Sequence, residues 1–166
     1  DPMFIHDIIA TIAREGIPSR CLSLELTEHS LIDVPLVAES LGRARAAGIR
    51  LALDDFGTGY SSLTQLEGLP VDVVKVDRPF VVRLADGGHR HEVFLSALVE
   101  LVSALDLELI VEGVETESER DALIAAGFQI GQGYLFGRPT TPAAALALAL
   151  ADSGVGGAQP GLRVDQ

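Results

Sequence analysis

Adjacent carboxylates at Asp54 and Asp55 end the apolar run Ile49-Arg50-Leu51-Ala52-Leu53 and enter the turn Phe56-Gly57-Thr58-Gly59. Two neighbouring carboxylates repel, and a divalent cation would neutralise them. Oxygen-only donors favour magnesium or manganese over zinc. Side chains alternate along a strand, so both aspartates face one site only where the backbone twists at the strand end, which the following turn permits. The pair also reads as a solvated Asp-Asp entering a turn, with Gly57 and Gly59 supplying positive φ.

Other side chains of the same character recur at similar places. Glu25, in Cys21-Leu22-Ser23-Leu24-Glu25-Leu26-Thr27, alternates away from Leu24 and Leu26 and shares a side with Thr27. A carboxylate on an inward face needs a metal or a base as partner, because burying it unpaired costs several kcal/mol. Glu28, one step into the loop, is placed to hold the neighbouring Gly-rich loop or is simply solvated. Lys75 interrupts Val73-Val74-Lys75-Val76, where a buried ammonium pairs with acids or touches substrate; a purely structural ion pair remains an alternative. Glu112 follows Leu109-Ile110-Val111, Glu115 begins the next turn, and Gln132 offers a donor and an acceptor without charge. His89 and His91 sit beside Gly87 and Gly88 and read as a solvated loop, and His6 and His29 as surface residues. Cys21 reads as a small buried residue near a strand.

The elements that must position these groups follow from periodicity and its interruptions. Phe4, Ile8, Ile9 and Ile12 mark a helix stopped by Gly16-Ile17-Pro18, residues 21–27 a strand, and Pro35 to Ala47 a helix ended by Gly48. Strands are expected at Ile49–Asp54, Asp72–Val76, Leu107–Val111 and Gln129–Gln132. Helices are expected around Ser62–Leu66, Arg78–Leu84, Arg90–Leu105, Ser118–Ala126 and Pro142–Leu150. The Gly- and Pro-rich residues 151–166 read as a mobile tail, leaving one domain over 1–150. Strands alternating with helices imply an α/β class with parallel pairing. Glu25, Asp54, Asp55, Lys75, Glu112 and Gln132 all fall in or at the C-terminal ends of successive strands, and a barrel brings such ends to one mouth. Five strands in 166 residues cannot close an eight-stranded barrel of roughly 250 residues. About three strands are therefore expected to lie on the N-terminal side of a chain that reads as excerpted.

Composition narrows the partners. The chain is 48% hydrophobic and 22% charged, as suits one domain with a real core. A formal charge of -12 argues against a general DNA or RNA binder, so an anionic ligand must be met by a local cation. No apolar run approaches the roughly 18 to 20 residues of a membrane span and no leader opens the chain, so a soluble segment is expected. The single cysteine suits a reducing cytoplasm, and the full-length protein could still be membrane-anchored through other segments.

Taken together, Glu-Leu-Thr-Glu at 25 to 28, Asp-Asp-Phe-Gly-Thr-Gly-Tyr-Ser-Ser at 54 to 62, Lys-Val-Asp at 75 to 77, Glu-Gly-Val-Glu at 112 to 115 and Gln-Gly-Tyr-Leu-Phe-Gly-Arg-Pro at 132 to 139 resemble the EAL domain family of cyclic di-GMP phosphodiesterases. The resemblance covers about Pro2 to Leu150, and it implies a TIM-like (βα)8 barrel, here partial. By similarity, Glu25, Asp54, Asp55 and Glu112 would hold Mg2+ or Mn2+, in a two-metal site in the complete domain. Lys75, Glu112 and Asp55 would carry the catalysis, with Glu28 bracing the loop after Asp55 and Glu115 and Gln132 supporting the site or the substrate. The implied reaction is hydrolysis of cyclic di-GMP to linear pGpG in bacterial signal transduction. A homodimer and sensor or GGDEF-type domains are compatible partners. The family's Glu-Ala-Leu segment and a metal-binding asparagine precede Glu-Leu-Thr-Glu, so two expected ligands are not among these residues. A noncatalytic cyclic di-GMP receptor and a Schiff-base role for Lys75 in an aldolase-like barrel are the alternatives.

Overall fold

The structure is a computed structural model that describes residues 2–27, 34–57, 66, 68–85, 89–152 and 163–164. Its elements run α1 (Pro2–Arg14), a 3-10 turn (Ser19–Cys21), β1 (Ser23–Thr27), α2 (Val34–Ala46), β2 (Arg50–Asp54), β3 (Val73–Val76), α3 (Arg78–Ala85) and α4 (His89–Ala104). They continue with β4 (Glu108–Val111), α5 (Glu117–Ala125), β5 (Ile130–Gly131), α6 (Pro142–Asp152) and β6 (Arg163–Val164). Local chemistry accounts for the boundaries. Gly48 (φ 83°) and Gly127 (φ 97°) follow α2 and α5 in the left-handed conformation that ends helices. At its start, α5 carries a reciprocal cap in which Thr116 accepts from the Glu119 N–H and Glu119 accepts from the Thr116 N–H.

All strand pairs are parallel, and the order is β1-β2-β3-β4-β5-β6 without reversal. A doubly wound sheet must reverse its order to place helices on both faces. Here one face carries the helices: Leu51, Leu53, Val74, Val76 and Val111 are buried with Ile5 and Ile12 of α1, Leu41 and Ala44 of α2, Val81 of α3, Leu95, Leu98 and Val102 of α4, and Leu123 of α5. The alternate residues Ala52, Val73, Ile110 and Ile130 form a separate small cluster on the other face. A singly wound parallel sheet with helices outside and a thin side-chain layer inside is a segment of a TIM-like barrel.

Most expected elements stand within two residues of their predicted bounds, and the departures are local. The strand expected at Gln129–Gln132 contracts to Ile130–Gly131, although the Gln132 N–H still donates to the Val111 carbonyl at 2.8 Å. His89 and His91 open α4 rather than lying in a loop. The His91 ring stacks on Phe80 and Phe94, with centroids 6.1 Å from each, and its Nε2 lies 3.0 Å from the Phe80 carbonyl. Cys21 is exposed, because the turn Ser19–Cys21 precedes the strand and holds it outside the sheet. Within the stretch expected as a tail, Ala151 and Asp152 belong to α6 and Arg163 and Val164 pair with Ile130 and Gly131; its other residues lie outside the described ones. The helix expected at Ser62–Leu66 lies largely outside the described residues. No helix among the described residues is long and apolar enough to cross a membrane.

Candidate active site

The inner face of the sheet changes character along its length. Near the N-terminal ends of the strands, Arg50 of β2 and Glu108 of β4 form an ion pair across β3. Ala52, Val73 and Ile110 fill the next level. Lys75 follows on β3, and its side chain is 7% exposed. Register explains what surrounds it. Thr27 pairs with Asp54 and Lys75 with Ile110, so the C-terminal ends of β1, β2 and β4 stand beside Lys75.

The Lys75 ammonium lies 2.6 Å from Glu25 Oε1, 2.5 Å from Glu112 Oε1 and 3.8 Å from Asp54 Oδ1. Burial works to lower the pKa of Lys75, but the hydrogen bonds to Glu112 and Glu25 and the charges of Glu112 and Asp54 outweigh it and hold the amine above its ordinary value. An amine that must attack a carbonyl needs the opposite shift. The Schiff-base alternative is therefore disfavoured by both the contacts and the charge state. Glu25, Lys75 and Gln132 line one cleft of about 320 Å³ together with Ala52, Val73 and Ile110.

Asp55 departs from strand geometry. Its φ is 57°, the left-handed region that few residues other than Gly, Asn and Asp adopt, so the alternation of β2 breaks one residue after Asp54. The Phe56 N–H then donates to the Lys75 carbonyl at 3.1 Å, stitching the turn to β3. Gly57 follows with φ 89°, and a Cβ there would stand 2.7 Å from the Phe80 ring. The backbone twist that two adjacent aspartates need to serve one site is thus present, and it is fixed from below by β3 and Phe80.

Not every residue singled out in the sequence joins this cluster. Glu115 turns to Arg78, whose Nη1 lies 2.7 Å from its Oε1. Glu28 lies outside the described residues. Gln132 borders the cleft and also a second concavity with Glu112, Gly113 and Tyr134. Three groups near the site went unnoticed in the sequence: Arg78, Phe80 and Glu119. Only Glu119 had a local signal, since Thr116-Glu117-Ser118-Glu119 is a capping-box pattern.

Glu119 is 8% exposed. Burial pushes its carboxyl up, but the Glu115 and Thr116 amides, the Thr116 hydroxyl and the Arg78 charge pull it further down, to a net value below the usual 4.5. A depressed carboxyl contributes stability above its unfolded value, and that contribution is lost as pH falls through the folded value. Glu119→Gln is therefore expected to cost about 1–2 kcal/mol near neutrality and to flatten the loss of stability below pH 4.5. Thermal unfolding of both proteins between about pH 3 and 7 is the measurement, and parallel acid limbs would contradict the assignment.

The acidic donors Glu25, Asp54, Asp55 and Glu112 are all oxygen, which suits a hard divalent cation. A carboxylate has about four lone-pair sites, so the Lys75 contact does not exhaust Glu25 or Glu112. Among the described residues, no three His, Cys, Asp or Glu side chains already surround one point; the carboxylates gather on Lys75 instead.

Known proteins are similar to this chain in sequence and in fold. A cyclic di-GMP phosphodiesterase of Pseudomonas aeruginosa, RocR, is 42% identical over 135 residues, which cover 81% of this chain and 34% of RocR. The crystal structure of the EAL domain of Mycobacterium smegmatis DcpA superposes with a TM-score of 0.82 at 33% identity, covering 89% of this chain and 66% of that one. A manganese and cyclic di-GMP complex of Klebsiella pneumoniae BlrP1 matches with a TM-score of 0.75 at 30% identity, over 81% of this chain and 34% of that one. This chain therefore spans about a third of RocR and of BlrP1. The family model described as EAL domain matches residues 1–139, and with that match the chain belongs to the EAL domain family.

Proposed function

We propose that these residues form the catalytic face of a metal-dependent phosphodiesterase that hydrolyses cyclic di-GMP to linear pGpG. The observation that carries this reading is the convergence of Glu25, Asp54 and Glu112, from three strand ends, on the buried Lys75 ammonium. Similarity to RocR and to the BlrP1 complex supports the substrate, and the all-oxygen donor set supports Mg2+ or Mn2+. Glu25, Asp54, Asp55 and Glu112 would hold the cation, which when bound polarises phosphoryl oxygens and acidifies water.

The chain's own residues supply the rest. Lys75, kept charged by its acidic neighbours, places a fixed cation where charge builds on the phosphoryl group. Glu112, beside Lys75 and bordering the second concavity, accepts the proton of the attacking water. The P–O3′ bond breaks, the 3′ oxygen takes up a proton and the 5′ phosphate stays on the product. Gln132 offers an uncharged donor and acceptor on the wall of the same cleft for the substrate. Glu115 and Glu28 support the site rather than react. A homodimer and sensor or GGDEF-type domains in the same polypeptide are the proposed partners. The cytoplasm is the proposed compartment, which the exposed, unpaired thiol of Cys21 favours.

The test is to incubate the full-length protein with cyclic di-GMP and follow pGpG. Turnover is expected with Mg2+ or Mn2+, to stop on exhaustive chelation and to be inhibited by Ca2+, which is larger and less exacting in geometry. Unchanged hydrolysis after chelation would remove the metal, and no pGpG under any of these conditions would remove the reaction.

A further inference from the structure

Arg78 opens α3 three residues after Lys75, and its guanidinium reaches the turn that follows β4. Nη1 donates to the Gly113 carbonyl at 2.6 Å and lies 2.7 Å from Glu115 Oε1, while Nη2 is 3.9 Å from Glu119 Oε1. Glu119 in turn accepts from the backbone N–H of Glu115 at 2.7 Å and of Thr116 at 2.9 Å. Gly113 makes the approach feasible. Its φ is 76°, and a Cβ there would stand 2.7 Å from Arg78 Cβ. One guanidinium and one buried carboxylate thus grip the turn at a carbonyl, a side chain and two amides.

Glu112 is the residue immediately before that grip. Its N–H is fixed by the Val76 carbonyl at 2.8 Å, and its carboxylate meets Lys75 at 2.5 Å. The sheet therefore anchors Glu112 on its N-terminal side. We propose that Arg78 is a positioning residue for the reaction: with Glu115 and Glu119 it fixes the turn from Gly113 to Thr116, and so sets where the Glu112 carboxylate stands against Lys75. Only a planar fork serves a carbonyl and two carboxylates at once, and lysine offers a point charge in its place. The inference rests on the hydrolase reading above for its effect on turnover, and on the contacts alone for its effect on the turn.

Arg78→Lys, Glu112→Gln and the double variant of the full-length protein separate these effects. Arg78→Lys is expected to lower kcat roughly 10- to 100-fold with little change in KM, as losses of outer partners do. Amide hydrogen exchange across residues 112–116 should quicken on the order of 10-fold while β2 and β3 keep their protection. In the Glu112→Gln background, the same substitution should cost less than about 2-fold more, because its effect passes through the group already removed. Equal losses in both backgrounds, or unchanged exchange across 112–116, would overturn the role. Should the unsubstituted protein make no pGpG, the hydrolase reading fails, and the exchange measurement still decides whether Arg78 holds the Glu112 turn.

Discussion

Lys75→Met is expected to lower turnover of cyclic di-GMP by on the order of 10²- to 10³-fold, the usual cost of removing one preorganised electrostatic group. The same change acts on the fold of the metal-free protein, because Glu25, Asp54 and Glu112 then stand together with no cation between them. Breaking a fully buried ion pair costs about 3–5 kcal/mol. Here Glu25 is half exposed and Asp54 and Glu112 keep about a fifth to a quarter of their surface, at 50%, 22% and 24%, so water screens part of the repulsion. A loss of about 1–2 kcal/mol is expected. Its pH dependence has a definite sign. An amine whose folded value is raised contributes fully below its unfolded value, 10.5, and loses the contribution as pH rises through the folded one. The gap in unfolding free energy between wild type and Lys75→Met should therefore stay constant from about pH 7 to 9 and narrow only above the unfolded value. A gap that closes near neutrality would mean that Lys75 is not held charged by its neighbours.

The elements were legible where backbone rules act over a few residues. Gly48 and Gly127 end helices for local steric reasons, and the alternation of Leu24, Glu25 and Leu26 is a property of any strand. The inward set of Glu25, Asp54, Lys75 and Glu112 follows from that alternation once the strands are parallel and in sequential order. Pairings across distant segments leave no such trace. Arg78 and Gly113 are 35 positions apart and Arg50 and Glu108 are 58 apart, with no periodicity linking either pair. His91 reads as a loop residue in the sequence because Gly87 and Gly88 dominate the local signal, whereas its ring is placed by stacking on Phe80 and Phe94. The pairing of Arg163–Val164 with β5 had no alternation to announce it, being two residues long.

Asp54→Asn and Asp55→Asn are expected to reduce turnover more than the roughly 10- to 100-fold typical of outer partners, because both carboxylates are assigned to the cation itself. Asparagine is the informative replacement at Asp55. The residue sits at φ 57°, where asparagine is tolerated about as well as aspartate and most other residues are strained. Asp55→Asn thus removes charge and leaves the turn intact, whereas Asp55→Ala would combine lost charge with backbone strain of about 1 kcal/mol or more. The two effects separate in paired measurements of unfolding temperature and of Mn2+ binding by calorimetry. Asp55→Asn should keep the unfolding temperature of the metal-free protein and lose affinity for Mn2+; Asp55→Ala should lose both. Asp54 lies 3.8 Å from the Lys75 ammonium, so Asp54→Asn also removes one acidic neighbour of that lysine without burying an unpaired charge. Its fold should survive while its turnover does not. Near-wild-type hydrolysis by Asp54→Asn would show that the cation is held elsewhere, and the cluster around Lys75 would then be an ion-pair network that supports the barrel.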